Sequence, residues 1–252
     1  DLLPEEKRAA ENLIREYASS FSKDDYDLGR TKVLQHTIDT GSNRPVKEAL
    51  RRHPQVHQEF IDKEVNKLLD LDIIEPSASP WSSNIVLVRK KTGKLRMCVD
   101  FRRVNALTYK DAYPIPKIDA CLDALGGSRY FSSLDLRSGY WQAEILPEDR
   151  DKTSFVTRSG QFRFKVLPFG LCNAVGLFQR LLDRVLAGLN WSVCLVYLDD
   201  IAVFSRTFTE HVERLRSVFD RMRSAGLKFN PEKCQLFQRK MEFWDMWYLK
   251  RE

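Results

Sequence analysis

The chain has 252 residues, of which 30% are charged and 43% hydrophobic, a balance that excludes both a disordered tail and a membrane-embedded protein. No run approaches the roughly 18 consecutive apolar residues of a bilayer span, and the N-terminal DLLPEEKRAAENL lacks the apolar centre of a secretory signal. Five scattered cysteines without a CxxC pair argue against a disulfide framework and favour a reducing compartment. The net charge of +6 is compatible with nucleic-acid binding without requiring it. We expect a soluble intracellular protein of one large or two small domains.

Hydrophobic spacing in the first half of the chain predicts two helices and one hairpin. Residues 5–18 and 56–69 carry apolar side chains at helical spacing, so both segments are predicted as amphipathic helices. The polar stretch 22–32 has few apolar residues, and we expect it to be an arm or linker rather than part of a core. The apolar segments 85–88 and 95–101 flank KKTGK, which predicts a β-hairpin with a basic tip.

The second half of the chain mixes apolar strands with strongly amphipathic helices. Strands are predicted at 130–136, 140–146 and 161–166, at VCLVYL and IAVFS around an acidic turn, and at LKF and KCQLF. Helices are predicted at 174–189 and after Thr207, whose side chain can cap a helix that Gly226 ends. Helices combined with mostly antiparallel strands indicate an α+β fold.

The acidic turn in YLDD is the first candidate for chemistry. Asp199 and Asp200 lie between two apolar strands, where aspartate is also a common turn former because its side chain bonds nearby backbone N–H groups. Asp135 ends a different apolar strand. Three carboxylates on neighbouring strand ends would repel one another unless a cation lies between them. Divalent ions held in this way support phosphoryl transfer.

Several motifs in one collinear order resemble a known family. They are HTIDTG, EVNKLLDLDIIEPSASPWSS, LRMCVDFRRVN, YPIPKID, FSSLDLRSGYWQ, LPFGLCNA, FQRLLDRVL, VYLDDIAVFS and AGLKFNPEKC. Together they resemble the reverse transcriptases of gypsy-type LTR retrotransposons, over residues 10 to 240. The resemblance implies a right-hand polymerase fold with an antiparallel palm sheet backed by helices, and no thumb is expected within this chain.

The resemblance implies a metal site made by the three aspartates. Asp135, Asp199 and Asp200 match the catalytic and metal-binding triad, and the backbone carbonyl of Leu136 matches a further oxygen ligand. Two Mg²⁺ ions are implied as cofactors, with Mn²⁺ as an alternative.

The resemblance also implies a nucleotide-binding set. Tyr140 matches the aromatic gate beneath the sugar of the incoming nucleotide, with a tyrosine of the core as the alternative. Phe169 and Gly170 match the motif that lies against the nascent base pair, where glycine permits close backbone approach. Lys90 and Arg96 match residues that hold the triphosphate, because basic side chains bind phosphate oxygens.

Four residues keep alternative explanations. Lys90 and its neighbour Lys91 are interchangeable candidates, since a basic residue at a hairpin tip is often only solvated. Lys233 matches a candidate general acid for the pyrophosphate, and a surface lysine explains it equally well. Gln179 resembles a motif residue or a polar position on a helix.

The chain departs from the family pattern at three places. Val175, Gly176 and Leu177 stand where Pro, a small residue and Thr are usual, and Gly176 costs a helix about 0.5–1 kcal/mol. The segment 243–246 reads FWDM instead of FLGH, so we assign no role in it. Asn84 replaces a proline, and we expect little effect.

These expectations define a domain plan and a function. Residues 1–50 form an arm or linker, 51–113 with 147–173 the fingers, and 114–146 with 174–252 the palm. The implied activity is RNA- and DNA-directed DNA synthesis from dNTPs on an RNA or DNA primer-template. The alternative is a catalytically impaired remnant that acts as a nucleic-acid-binding or interaction module. We expect a cytoplasmic location in a retroelement particle and no membrane partner; the oligomeric state stays open.

Overall fold

The computed structural model describes residues 2–89, 93, 95–243 and 246–248, with only the backbone given at 241–243 and 246–248. The chain divides into two compact units. Unit 1 consists of Asp1–Val33, Tyr113–Gly139 and Gly176–Glu252, and unit 2 consists of Leu34–Ala112 and Tyr140–Val175.

The described part of the chain forms six α-helices and thirteen strands. The helices are α1 (Pro4–Glu16), α2 (Gln55–Asp70), α3 (Arg102–Leu107), α4 (Ile118–Ala124), α5 (Ala174–Val185) and α6 (Phe208–Ser224). The strands are β1 (Thr31–His36), β2 (Ile74–Pro76), β3 (Ile85–Arg89), β4 (Leu95–Val99), β5 (Tyr130–Asp135), β6 (Ala143–Ile145), β7 (Phe155–Thr157), β8 (Gly160–Phe164), β9 (Cys194–Tyr197), β10 (Asp200–Ser205), β11 (Gln235–Gln238), β12 (Met241–Phe243) and β13 (Met246–Tyr248). The α+β prediction is confirmed.

Unit 1 is built on a four-stranded antiparallel sheet in the order β11-β5-β10-β9. Strand side chains alternate between the two faces of a sheet. One face carries Phe131, Ala202 and Phe204 against Cys121 and Leu125, in a buried apolar cluster. The opposite face packs against α6. Because both faces are covered, β9 and most of β10 read as continuous apolar runs.

Helix α6 begins and ends where the sequence predicts. The Thr207 hydroxyl accepts the backbone N–H of Glu210 at 3.3 Å, which is the N-cap bond. Beyond the last turn, Gly226 adopts a φ of +73°. The backbone N–H of Leu227 donates to the Met222 carbonyl at 3.0 Å, as in a glycine-terminated helix.

A buried histidine joins α6 to the sheet. His211 is fully buried, with Nε2 at 2.8 Å from the Ser132 hydroxyl and Nδ1 at 2.9 Å from the Ser205 hydroxyl. Ser205 donates to the Thr207 carbonyl, and Ser132 accepts from the Phe237 N–H. The chain of donors therefore places the proton on Nδ1. Burial lowers the pKa of His211 to about 4, so the ring is neutral near pH 7.

The first 50 residues supply core side chains to both units, which differs from the predicted arm or linker. Tyr17 is buried against Phe219, with ring centroids 5.3 Å apart, and its hydroxyl donates to Asp220 at 2.8 Å. In unit 2, Ile38 is buried and its N–H donates to Asp149 at 2.9 Å. Tyr17 lies in the helical pattern predicted at 5–18, but the pattern does not show what that helix packs against. Ile38 was not predicted, because a single apolar residue gives no periodic signal.

Two predicted strands are shorter than expected. Residues 139–142 form a 3₁₀ turn, so the strand predicted at 140–146 is limited to Ala143–Ile145. Ser138 precedes this turn with a φ of +47°, a left-handed conformation that breaks extended structure. The LKF segment contributes isolated bridges of Phe229 to Phe21 and to Leu136.

Unit 2 contains the predicted hairpin and a small aromatic core. Strands β3 and β4 pair antiparallel, and a three-stranded sheet has the order β2-β8-β7. Phe162 and Phe164 are buried on β8 and pack against Phe155, as the alternating pattern predicts.

Asn84 anchors the segment before α2. Its side chain is buried; the amide nitrogen donates to Glu48 at 2.9 Å and to the Ala49 carbonyl at 3.0 Å, and its oxygen accepts the Arg51 N–H at 3.1 Å. Proline has no group that could make these side-chain bonds, so Asn84 adds contacts that the sequence did not lead us to expect.

The structure also describes the state of the cysteines and the character of the helices. All five cysteines lie among the described residues and are free thiols. Within the same residues, no helix combines the length and apolar character needed to cross a membrane.

A pair of glycine variants tests the end of α6. At Gly226 a Cβ would lie 2.6 Å from the Arg30 carbonyl oxygen, whereas at Gly188, with a similar φ of +82°, nothing lies within 4 Å. Gly188→Ala should therefore lower the free energy of unfolding by about 1 kcal/mol, because alanine disfavours the left-handed backbone. Gly226→Ala should lower it by at least about 1 kcal/mol more, because its Cβ would also clash with the Arg30 carbonyl. Urea unfolding measures both variants, and equal losses would contradict the clash.

Candidate active site

The acidic turn joins β9 to β10 through two residues. β9 ends at Tyr197 and β10 begins at Asp200, and Leu198 adopts a φ of +56° within the turn. Positive φ in a two-residue loop matches the right-handed twist of a hairpin. The turn thus presents Asp199 and Asp200 at the end of the sheet, as predicted.

Gln179 on α5 holds this turn in place. Its side chain is fully buried; the amide oxygen accepts the Leu198 N–H at 2.8 Å and the amide nitrogen donates to the Val196 carbonyl at 3.2 Å. The amide nitrogen also lies 3.2 Å from Asp183. An amide that satisfies backbone groups on both sides of Tyr197, where β9 passes into the turn, restrains the conformation of the turn. The sequence alone left the role of Gln179 open.

The sheet register brings two of the three aspartates together. Asp200 pairs directly with Asp135 across β10 and β5. Side chains of directly opposed residues leave the same face of a sheet, with Cβ atoms about 4.5–5.5 Å apart. Burial, and then the negative charge of Asp135, raise the pKa of Asp200, while the Lys233 ammonium opposes this rise.

Asp135 has one carboxylate oxygen that lacks a partner. Oδ1 is buried and has no hydrogen-bond partner among the described residues, whereas Oδ2 lies 3.4 Å from the Lys233 ammonium. A buried anionic oxygen without a partner is costly. The side chain is therefore suited to a ligand that supplies positive charge.

Asp199 occupies a different environment. It is exposed at the turn, beside the half-buried Asp200. Within the part of the chain that the structure describes, no three His, Cys, Asp or Glu side chains form a group that could hold a metal ion. The structure thus assembles a close pair, Asp135 and Asp200, with Asp199 adjacent in the chain.

The pair fits a hard divalent cation. Mg²⁺ is held by oxygen ligands, commonly one or two carboxylates completed by water and substrate phosphates. A cation would give the buried Asp135 oxygen a partner. Its positive charge would also lower the pKa of Asp200, which burial and Asp135 raise. In the antiparallel backbone bridge between Leu136 and Phe229, the hydrogen-bond acceptors are the carbonyls of Asp135 and Lys228. The Leu136 carbonyl takes no part in this bridge.

A turn at residues 230–234 supports Asp135 from the other side. The Asn230 N–H donates to the Asp135 carbonyl at 2.8 Å, and the Asn230 carbonyl accepts the N–H groups of Lys233 and Cys234. The Cys234 thiol lies 3.7 Å from the same Asp135 carbonyl, and burial raises its pKa to about 11. The turn places the exposed Lys233 beside Asp135. The Asn-Pro pair signals a turn in the sequence, but not its contact with Asp135.

Unit 2 contains the predicted nucleotide-binding residues that the structure describes. The Phe169 ring packs on Tyr140 with centroids 5.2 Å apart, and the Arg96 guanidinium lies 4.4 Å from the Phe169 centroid. Gly170 has a φ of +99°, a conformation that favours glycine. Tyr140 is 9% exposed and Phe169 is 40% exposed. Lys90 and Lys91 lie outside the described residues.

The chain matches one family model and many relatives. Residues 88–245 match the model described as "Reverse transcriptase (RNA-dependent DNA polymerase)". The chain is 34% identical over 244 residues to the Retrovirus-related Pol polyprotein from transposon 297 of Drosophila melanogaster, covering 95% of this chain and 23% of that protein. It is 36% identical over 245 residues to the polyprotein from transposon gypsy of the same organism, covering 94% of this chain and 24% of that protein. These matches confirm the resemblance seen in the motifs.

Solved structures share the fold. The structure of the foamy viral protease-reverse transcriptase in complex with RNA/DNA hybrid matches with a TM-score of 0.88 and 24% identity, over 97% of this chain and 33% of that one. A second structure of that protein, with double-stranded DNA, matches with a TM-score of 0.87 and 25% identity, over 97% of this chain and 43% of that one. The chain therefore spans less than half of the length of these relatives.

An Asp200→Asn variant tests the electrostatics of the pair. A raised pKa means that ionisation of Asp200 destabilises the folded state, so the amide should raise the melting temperature at pH 7 in EDTA. This advantage should disappear below about pH 4, where the carboxyl is protonated in both folded and unfolded chains. Mg²⁺ should stabilise the parent more than the variant.

Thermal unfolding over a pH series measures these effects, with Glu213→Gln on the exposed side of α6 as the matched control. A destabilised Asp200→Asn protein at pH 7 without metal would contradict the proposed repulsion.

Proposed function

Because the chain belongs to the reverse transcriptase family, we propose that it catalyses RNA- and DNA-directed DNA synthesis. In this reaction the 3′-hydroxyl of a primer attacks the α-phosphate of a deoxynucleotide, and pyrophosphate leaves. The observation that carries the proposal is the direct pairing of Asp200 with Asp135, where one buried carboxylate oxygen lacks a partner among the described residues.

Asp135, Asp199 and Asp200 would hold the divalent cations, Mg²⁺ or Mn²⁺, with the Leu136 carbonyl as a further ligand. When bound, two such ions lower the pKa of the attacking hydroxyl and stabilise the leaving oxygen. The sheet fixes the two opposed carboxylates, and Gln179 fixes the turn that carries Asp199. Side chains on strands give such a site more precision than side chains on loops.

Unit 2 would bind the deoxynucleotide. The Arg96 guanidinium can donate two parallel hydrogen bonds to phosphate oxygens, and the Phe169 ring below it restricts its orientation. Tyr140 would exclude a 2′-hydroxyl by the bulk of its ring. Gly170 permits close backbone approach, since it has no side chain. Lys90 remains a prediction from the sequence.

Lys233 is proposed as the general acid that protonates pyrophosphate. Its ammonium is exposed and lies 3.4 Å from Asp135, close to the proposed reaction centre. A lysine ammonium is a suitable donor when it lies within hydrogen-bond reach of the leaving group.

The proposed partners are an RNA or DNA primer-template and dNTPs. Two similar structures are complexes with an RNA/DNA hybrid and with double-stranded DNA, and the net charge of +6 favours a polyanion. We assign the fingers to unit 2 and the palm to unit 1. The main differences from the predicted division are the first 50 residues, which divide between the two units, and residues 140–146, which were predicted in the palm and belong to unit 2. A retroelement particle in the cytoplasm remains the predicted location.

Primer extension on an RNA template with Mg²⁺ tests the activity. The parent should extend the primer, and Asp199→Asn should reduce the rate at least about 100-fold, because a metal-ligating carboxylate contributes several kcal/mol to the transition state. Asp70→Asn, an exposed aspartate at the end of α2, should extend at the parental rate.

Two results would reject the proposal. Equal extension by the parent and Asp199→Asn would remove the carboxylate from the chemistry. Salt-dependent primer-template binding without extension under either Mg²⁺ or Mn²⁺ would identify the alternative, a catalytically impaired nucleic-acid-binding module.

Tyr140 variants test the selection of deoxynucleotides. Tyr140→Val should lower the preference for dGTP over GTP about tenfold or more, because the smaller side chain leaves room for a 2′-hydroxyl. Tyr140→Phe keeps the ring and should keep the preference. Single-nucleotide insertion measures kcat/KM for both substrates, with the exposed Tyr26→Val as the control. Unchanged selectivity in Tyr140→Val would exclude Tyr140 as the gate.

A further inference from the structure

Two asparagines in unit 2 tie two segments of the chain together. Asn105, near the end of α3, donates from its side-chain amide to the Gly170 carbonyl at 2.8 Å. The amide oxygen of Asn105 accepts the Cys172 N–H at 2.9 Å. One planar amide therefore bonds to the backbone on both sides of Leu171, which is buried. These bonds fix the backbone directly after Phe169.

Asn173 makes the reciprocal contact. Its amide nitrogen donates to the Tyr109 carbonyl at 2.8 Å, and its amide oxygen accepts the Asp111 N–H at 3.0 Å. Each asparagine thus belongs to one segment and binds the backbone of the other. We call residues 105–111 and 169–173, joined by these four bonds, the asparagine clamp. Only a carboxamide carries a donor and an acceptor in the geometry that such paired backbone contacts need.

The clamp acts on the loop that carries the predicted nucleotide contacts. Gly170 and Phe169 are exposed, and Gly170 holds a left-handed φ of +99°. An exposed loop with a glycine in this conformation has many alternative backbone states, so ordering it costs conformational entropy. The clamp selects one state, in which the Phe169 ring contacts both Tyr140 and Arg96.

We propose that Asn105 and Asn173 are positioning residues for nucleotide binding, acting through the loop that carries Phe169 and Gly170. This inference rests on the proposed polymerase function. The asparagines need not touch the nucleotide; they hold the ring and the glycine backbone ready for it. Preorganisation of this kind lowers the entropic cost of binding. Because each asparagine supports the segment that carries the other, loss of either one should loosen both contacts.

The experiment compares Asn105→Ala, Asn173→Ala, the double variant and Asn43→Ala. Asn43 is a matched control in unit 2, because its amide also donates to a backbone carbonyl, that of Thr40 at 2.8 Å. Amide hydrogen exchange over residues 169–173 is measured without substrate, and KM for dNTP and kcat are measured separately by primer extension. Melting temperatures verify that every variant is folded.

In Asn105→Ala and Asn173→Ala, the amide hydrogens of residues 169–173 should exchange at least about tenfold faster than in the parent. KM for dNTP should rise about tenfold, with a much smaller change in kcat. The double variant should resemble the single variants, since coupled sites are not additive. Asn105→Asp has the same shape but cannot donate to the Gly170 carbonyl while ionised, so it should resemble Asn105→Ala. Asn43→Ala should behave as the parent does.

Three outcomes overturn the inference. Unchanged exchange in the Asn105→Ala and Asn173→Ala variants would show that the amides do not hold the loop, whether or not the protein polymerises. Faster exchange with an unchanged KM would leave the clamp purely structural. A parental KM in Asn105→Asp would remove the donor bond from the explanation. An inactive parent, in contrast, rejects the polymerase proposal, and hydrogen exchange then decides the clamp by itself.

Discussion

The opposition of Asp135 and Asp200 across two central strands is the constraint on which the site depends. Two like charges at neighbouring strand ends repel each other, and partial burial strengthens the repulsion. The sheet nevertheless imposes this register, because shifting either strand by one residue would exchange the side chains that pack on its two covered faces. The energy of the core thus maintains an electrostatically unfavourable pair. A bound divalent cation would relieve this conflict, which gives the site a physical reason to bind metal.

Buried polar side chains, each with its hydrogen bonds satisfied, set the local backbone geometry within each unit. Gln179 holds the acidic turn, His211 joins α6 to β5 and β10, and Asn84 anchors the segment before α2. Each would be costly if left without partners, so each allows few arrangements of the backbone around it. Apolar packing alone tolerates more alternatives. The conformation of the acidic turn is therefore set by the Gln179 amide, whereas the stability of the units comes mainly from their apolar cores.

The departures from the family pattern show how tertiary packing outweighs local propensity. Val175, Gly176 and Leu177 replace a favourable helix start, yet α5 begins at Ala174. The glycine costs about 0.5–1 kcal/mol, whereas each fully buried Phe or Leu contributes about 1.5–3 kcal/mol, and Phe178, Leu181 and Leu182 are fully buried on this helix. The balance favours the helix. At 243–246, the backbone of β12 and β13 still pairs across the altered residues, from Phe243 to Met246.

The sequence by itself determined the α+β class, the helix from Thr207 to Gly226, the acidic hairpin and the family, because periodicity, capping residues and motifs are local signals. It did not determine that residues 1–50 contribute to two cores, or that the 140–146 segment begins with a 3₁₀ turn. Nor did it reveal the partners of Gln179, Asn84, Asn105 and Asn173. Those facts depend on which distant backbone groups meet a polar side chain. A carboxamide has the same covalent structure on a solvated surface and in a clamp, so only the tertiary structure could distinguish them.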